Sequence, residues 1–187
     1  MLADPETADM ARYALELIPG EAVDEALRRV LDQANKKAKV GILSTLGLRG
    51  DPKSAAAIAP YVTHADEEVA AAAITALGQI ATPEATKALS EAKNKLEGDA
   101  QMLVLDALLN CADSLDMDGK TDEALAIYKD IFESDVPSVI RSAALRGMVF
   151  CAGDQAGSII VDVIRKGGPE MTAVAVGLLN QIRSEEH

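Results

Sequence analysis

The sequence predicts an all-α protein: a right-handed α-solenoid of about five stacked helical hairpins followed by a terminal helix. Three observations lead to this prediction. Hydrophobic residues make up 49% of the 187 residues but aromatic residues only 3%, and this alanine-rich composition favours closely packed helices over a β-sandwich. Apolar residues recur at spacings of three and four, as on one face of a helix. The whole pattern then returns 31 residues later.

The repeat is clearest where residues 39–62 are laid over residues 70–93, because leucines, glycines and prolines coincide at an offset of 31 residues. One later step is 40 residues, and the last step returns to 31. These steps predict a row of buried side chains, one from each unit: Leu46, Leu77, Leu108, Met148 and Leu179. The predicted units form a single domain, 1–187, and comprise 4–34, 35–65, 66–97, 98–134, 135–167 and a half-unit at 168–187.

Capping signals precede the predicted helices. A side-chain oxygen stands before a proline, which tolerates the first helical position, in Asp4-Pro5, Asp51-Pro52 and Thr82-Pro83. Asp66 provides a similar cap before Val69. Pro60 falls inside a predicted second helix, which it should kink or shorten because proline lacks the N–H that a helix interior needs.

The segment from Val69 to Gly78 has the pattern V-x-x-x-A-[IL]-x-x-L-G, and with the D-P or T-P turns it resembles short HEAT repeats. The resemblance extends over residues 4–184 and is strongest over residues 36–96. It implies stacked hairpins whose second helices line an extended concave surface. Within residues 113–133, the stretch from Gly119 to Leu125 is similar to the turn and second helix of a tetratricopeptide unit, so a hairpin of that kind is expected there.

Surface positions of the predicted second helices form three rows: Glu25, Ala56 and Lys87; Arg29, Pro60 and Glu91; Asp32, Thr63 and Asn94. Their polar members are the candidate partner-binding residues: Glu25, Arg29, Asp32, Lys87, Glu91 and Asn94. The rows mix both signs of charge and lack the aromatic anchors of a strong hot spot. The predicted function is a non-catalytic protein–protein interaction scaffold, standing alone or as the repeat portion of a larger multidomain bacterial protein. The terminal half-unit could also support self-association if its apolar face is uncovered.

Charge separates this prediction from its alternatives. The chain has 18 basic and 30 acidic residues, a net charge of −12, which argues against nucleic acid and against anionic membranes as partners. The only basic cluster is Lys36, Lys37 and Lys39, with Arg28 and Arg29 nearby. A nucleic-acid-processing HEAT-like protein of the DNA-lesion enzyme type and a bilin-lyase-like accessory protein remain the alternative functions. The sequence shows neither a signal peptide nor a long apolar run, and the compartment stays open.

No catalytic, cofactor-binding or metal-binding residue is predicted. Cys111 and Cys151 align with the apolar Ile80, so both are expected to be buried thiols that pack as small hydrophobic groups without a disulfide. His64 lies in a predicted turn without evident triad partners. The acidic run at residues 113–122 matches part of a calcium-loop template, but Leu125 stands where that loop needs a bidentate glutamate, so a polar turn is expected.

Overall fold

The computed structural model describes residue 18 and residues 20–185, which are helical and contain no strand. The all-α prediction is therefore confirmed for this part of the chain. The predicted cap at Asp4-Pro5 lies outside the described residues. Ten α-helices occur within the described residues: α1 Glu21–Leu31, α2 Lys36–Arg49, α3 Ala55–Ile58, α4 Glu67–Ile80, α5 Pro83–Lys93, α6 Gly98–Met117, α7 Thr121–Glu133, α8 Ser138–Cys151, α9 Ala156–Lys166 and α10 Gly168–Glu185.

The chain divides into two compact units, the first ending at Cys111 and the second beginning at Ala112. Residues 98–111 of α6 belong to the first unit and residues 112–117 to the second. The single domain, the right-handed course and the six repeat boundaries stay predictions.

Helices of the first unit pack in the order that a repeat requires. The first helices of two successive hairpins, α2 and α4, pack against each other, and so do the second helices, α3 and α5. The predicted row of leucines lies in the core, with Leu46 and Leu77 0% exposed and Leu108 1% exposed. The 31-residue step is thus the step at which side chains return to the core of this unit.

Two glycines at equivalent repeat positions allow close approach between helices of the first unit. A Cβ atom added at Gly78 would lie 2.9 Å from Ala107 Cβ and 3.1 Å from Ala107 Cα, which no ordinary packing accommodates. A Cβ at Gly47 would overlap Ala76 in the same way, with its Cα only 2.7 Å away. Small residues on both sides of each contact therefore set the spacing of successive hairpins.

The capping signals act as the sequence predicts. Asp66 accepts hydrogen bonds from the backbone N–H groups of Glu68 and Val69, and Thr82 Oγ1 accepts one from Ala85 N at 3.2 Å. Pro60 lies in the 3-10 turn Ala59–Tyr61, and α3 before it is only four residues long. The predicted shortening of this second helix by proline is therefore confirmed.

The second unit contains the end of α6, residues 112–117, and helices α7 to α10. Helices α7 and α8 pack together, as do α9 and α10, and α8 also contacts both α9 and α10. One buried cluster of this unit comprises Leu145, Val149, Ala156, Ile160, Val163, Met171, Ala175 and Leu178. Residues Thr121–Glu133 form a helix after a turn at Gly119, whose φ is 77°, so a helical hairpin is present where one was predicted. Its kinship with tetratricopeptide units stays a prediction.

The last repeat step differs from the prediction. Val176 and Leu179, the positions reached by a step of 31, are 43% and 38% exposed, whereas Ala175 and Leu178 are buried. The step from Leu145 to Ala175 is 30 residues. Successive side chains of a helix point in directions about 100° apart. A step that is one residue shorter therefore buries a different face of α10. The prediction that the buried row continues through Met148 to Leu179 is therefore wrong, since Met148 is only partly buried and Leu179 is exposed.

Candidate functional site

The three predicted surface rows belong to the first unit and lie on α1, on α5, on the residues directly after these two helices, and on the segment at residues 52–63. All nine row positions are exposed, including the six candidate partner-binding residues Glu25, Arg29, Asp32, Lys87, Glu91 and Asn94. The proline-shortened second helix therefore still presents Ala56, Pro60 and Thr63 to solvent. Exposure makes these positions available to a partner; their role in binding stays a prediction.

Some row residues are already engaged within the unit. Arg29 Nη2 donates to Glu25 Oε1 at 2.7 Å across one turn of α1. Asp32 accepts a hydrogen bond from the hydroxyl of Tyr61, and burial together with this bond raises the pKa of Tyr61 to about 12. Within the described residues, Lys87 and Glu91 have no side-chain hydrogen bond or ion pair, so their charges are the most available ones in the rows.

Two ion pairs, one buried and one partly buried, hold α1 against the end of α2 and the turn that follows it. Arg49 forms an ion pair with Asp24, both side chains being under one tenth exposed at 9% and 8%. Arg49 also donates to the carbonyl oxygens of Ile18 at 2.8 Å and Gly20 at 3.1 Å. Arg28 pairs with Asp51 and donates to Ser54 Oγ at 3.0 Å. Because these partners are more than twenty residues apart, nothing in the local sequence pattern pointed to them.

The basic cluster seen in the sequence is largely neutralised in the structure. Lys36 Nζ lies 2.9 Å from Asp66 and 3.2 Å from Glu68, and the hydrogen bonds to these carboxylates raise the pKa of Lys36. Lys39 Nζ lies 4.9 Å from the centre of the Tyr61 ring, a cation–π contact. Arg28 and Arg29 have the acidic partners described above. The cluster is therefore bound into the first unit and is not a free positive patch.

A cleft of about 480 Å³ opens on the first unit, between two neighbouring loops and the helix starts that follow them. The loop at residues 62–66 and the start of α4 form one wall, and the loop at residues 94–97 and the start of α6 form the other. Its apolar lining comprises Val62, Ala70, Ala71, Ile74, Leu96, Ala100 and Leu103. Its polar lining comprises Thr63, His64, Glu67, Glu97 and Asp99. Sequence analysis missed this cleft because its two walls come from segments that are distant in the sequence.

The two cysteines are free. Cys111 is completely buried, and burial raises its pKa to about 11. Burial and then the carboxylate of Asp116, 3.0 Å from the Cys151 sulfur, raise the pKa of Cys151 to about 12. Both thiols are thus held in the protonated form, which is the unreactive one, and the prediction of buried packing thiols is confirmed.

Part of the acidic run near residue 116 serves internal hydrogen bonds of the second unit. Asp116 accepts from Thr121 Oγ1 at 3.2 Å as well as from Cys151, and Asp113 accepts from the hydroxyl of Tyr128. Burial is the main cause that raises the pKa of Tyr128, with the bond to Asp113 second. Across the part of the chain that the structure describes, no group of three or more His, Cys, Asp or Glu side chains is arranged to hold a metal ion. Nor is any helix among the described residues long and apolar enough to cross a membrane.

Comparison with known proteins places the repeat in a family. A family model described as HEAT repeats matches residues 23–109, which end before the hairpin at residues 113–133. Among solved structures, the chain is similar to the crystal structure of an engineered protein, with 18% identity and a TM-score of 0.47 over 97% of this chain and 92% of that one. No curated protein matches the chain significantly. Residues 23–109 of this protein are therefore HEAT repeats.

Proposed function

We propose that this protein is a non-catalytic scaffold for protein–protein interaction and that its partner contacts the three surface rows of the first unit. The observation that carries the proposal is the exposure of all nine row positions above a fully buried repeat core. HEAT repeats and related solenoids use such extended surfaces, built by regular stacking, for binding. Contact would be spread over a broad surface. The protein would act alone or as the repeat portion of a larger protein.

Rigidity of the first unit supports this proposal. The ion pairs Arg49–Asp24 and Arg28–Asp51 fix α1 relative to the segment that carries the middle row positions. Binding to a surface that is already ordered costs less conformational entropy than binding to a mobile one. A preformed surface can therefore bind a partner usefully without strong aromatic anchors.

The absence of catalysis is part of the proposal and has its own support. Raised thiol pKa values at Cys111 and Cys151 weaken the case for thiol chemistry of the kind a bilin-lyase-like accessory protein would need. The ion pairs of Lys36 with Asp66 and Glu68 reduce the positive potential that a DNA-binding alternative would need. A gel-shift assay at low salt tests the nucleic-acid alternative directly, since salt-sensitive retention of DNA would favour it.

The central test exchanges the two available row charges. The double variant Lys87→Glu with Glu91→Lys keeps the net charge and places the acidic residue four positions before the basic one, an arrangement that suits a helix. We expect this variant to keep its melting temperature and to capture less of the wild-type partner from a lysate, measured by quantitative mass spectrometry. Lys129→Glu with Glu133→Lys, an exposed pair at the same spacing on α7, is the matched control.

Two outcomes would contradict the proposed surface. If both double variants capture the same partners as the wild type in the same amounts, the rows of the first unit do not form the interface. If only the control loses capture, the interface lies on the second unit.

A further inference from the structure

We infer that the cleft between the starts of α4 and α6 is a docking site for a short segment of a partner protein that carries leucine-sized apolar side chains next to lysine or arginine. The cleft shares Thr63 with the three surface rows but none of the six candidate partner-binding residues, so this inference goes beyond the proposed function.

The lining of the cleft defines the apolar half of this ligand. Ile74 and Val62 are buried beneath it, whereas Leu96, Ala100 and Leu103 are only partly buried and face open space. Partly exposed leucines in a concave site gain by being covered, because each contributes apolar area that leaves water. The volume of about 480 Å³ falls within the range of pockets that bind small ligands and accommodates a few side chains rather than a whole helix.

The charges at the rim define the other half. Glu67, Glu97 and Asp99 line the cleft together, and its lining includes no lysine or arginine. Within the described residues none of these three carboxylates has an ion pair or side-chain hydrogen bond. By contrast Glu68, beside Glu67 in the sequence, is paired with Lys36. The three cleft carboxylates are thus left facing solvent.

Helix dipoles do not account for all of this negative charge. Glu67 and Asp99 stand in the first turns of α4 and α6, where acidic side chains are favourable. Each helix N-terminus is equivalent to roughly +0.5 of an elementary charge, so two of them offset about one of the three carboxylates. The remaining charge is close to −2, and a basic segment is its complement.

Charge also selects among possible occupants. A second copy of this chain would bring a net charge of −12 toward an acidic rim, which opposes docking. Residues 1–17 contain a single basic side chain, Arg12, and four acidic ones, Asp4, Glu6, Asp9 and Glu16, so this segment is also a poor match for an acidic rim. The acidic rim favours a basic segment, and the apolar lining favours apolar side chains. We therefore infer that the occupant is a basic and apolar segment of another protein.

The experiment uses a short fluorescein-labelled peptide of leucine and lysine as the probe, with fluorescence anisotropy as the measurement on the full chain. We expect saturable binding of this peptide, and much weaker binding of two matched peptides, one with glutamate in place of lysine and one with serine in place of leucine. The double variant Glu97→Lys with Asp99→Lys should raise the dissociation constant on the order of tenfold at low salt.

A control variant separates the cleft from the general acidity of the chain. Glu84→Lys with Asp106→Lys makes the same change in net charge at two exposed carboxylates outside the cleft, and Glu84, like Asp99, lies in the first turn of its helix. The inference predicts a change under about threefold for this control, because exposed charges are screened beyond roughly 8–10 Å. Melting curves of both variants report on folding.

Three results would overturn the inference. The first is no saturable binding of the leucine–lysine peptide, and the second is an equal loss of affinity for that peptide in the cleft variant and in its control. The third is that the protein binds the serine–lysine peptide as tightly as the leucine–lysine peptide. The last result would show attraction by charge alone, without use of the apolar floor. None of these results bears on the exchange at Lys87 and Glu91, so the docking cleft and the surface rows can fail independently.

Discussion

The two units of the chain both pack successive helices around a buried core, but the step at which side chains return to that core is regular only in the first unit. In the first unit, Leu46, Leu77 and Leu108 return to the core at a constant step of 31 residues, and aligned glycines set the spacing between hairpins. In the second unit the step from Leu145 to Ala175 is 30 residues. The comparison teaches that a constant step keeps one helix face in the core, and that a change of one residue transfers burial to an adjacent face.

Polar contacts differ between the units as well. The first unit buries an ion pair, Arg49–Asp24, whereas the second joins neutral donors to carboxylates in Tyr128–Asp113 and Cys151–Asp116. Breaking a buried ion pair leaves an uncompensated charge, but losing a hydrogen bond from a neutral donor costs less. We therefore expect polar substitutions to affect the first unit more strongly.

The largest effect is expected for a leucine of the regular core. Leu77→Ala should lower the free energy of unfolding by about 3–5 kcal/mol because Leu77 is completely buried and its removal leaves a cavity. Leu179→Ala, at the position that the 31-residue step predicts for the second unit, should cost less than about 1 kcal/mol because that side chain is 38% exposed. Urea unfolding followed by circular dichroism measures both. Similar costs would mean that Leu179 is part of the core after all.

The buried ion pair should come next. Asp24→Ala removes the carboxylate that pairs with the largely buried charge of Arg49, so we expect the free energy of unfolding to fall by about 3 kcal/mol. Asp162→Ala breaks the exposed pair with Lys166, whose side chains are 62% and 76% exposed, and should cost at most about 1 kcal/mol. The same urea titrations compare the two variants. If Asp24→Ala lowers the free energy of unfolding as little as the control does, the Arg49–Asp24 pair does not stabilise the fold.

Two glycine-to-alanine substitutions, one in each unit, should change stability in opposite directions. Gly78→Ala forces a Cβ against Ala107 and should destabilise by about 1–2 kcal/mol even though alanine favours helices. Gly177→Ala meets no atom within 4 Å in the interior of α10 and should stabilise by about 0.5–1 kcal/mol. The melting temperatures of the two variants should therefore shift in opposite directions. A higher melting temperature in both variants would show that α4 and α6 do not approach closely.

The smallest effect concerns alkaline pH. Both folded thiols have pKa values above the ordinary value of 9.0, about 11 for Cys111 and about 12 for Cys151, so above pH 9 the unfolded chain loses protons that the folded chain keeps. The contribution of the thiols to stability is thus constant below pH 9 and falls above it by up to about 1.4 kcal/mol per pH unit for each thiol. Cys151→Ser removes the contribution of Cys151 and should make the decline measured by urea titration less steep. An unchanged pH profile would contradict the raised pKa of Cys151.

Prediction from the sequence succeeded where the deciding interactions are local. Asp66, Thr82 and Pro60 act on residues within four positions of themselves, so their roles as caps and as a helix-shortening proline were readable. The exposed rows followed from the same helical periodicity. The cleft and the ion pairs were not predicted, because each joins segments that no spacing rule relates.

By itself the sequence determined that the described chain is helical and where its helices are capped. It also determined which residues return to the core every 31 positions in the first unit. These features were predictable because backbone geometry and apolar periodicity operate over one or two helical turns. Only the tertiary structure decided which face of α10 is buried, which carboxylate neutralises Arg49 or Lys36, and that Glu67, Glu97 and Asp99 share one cleft. Those outcomes depend on how distant segments pack, and many packings are compatible with the same local pattern until the whole core is formed.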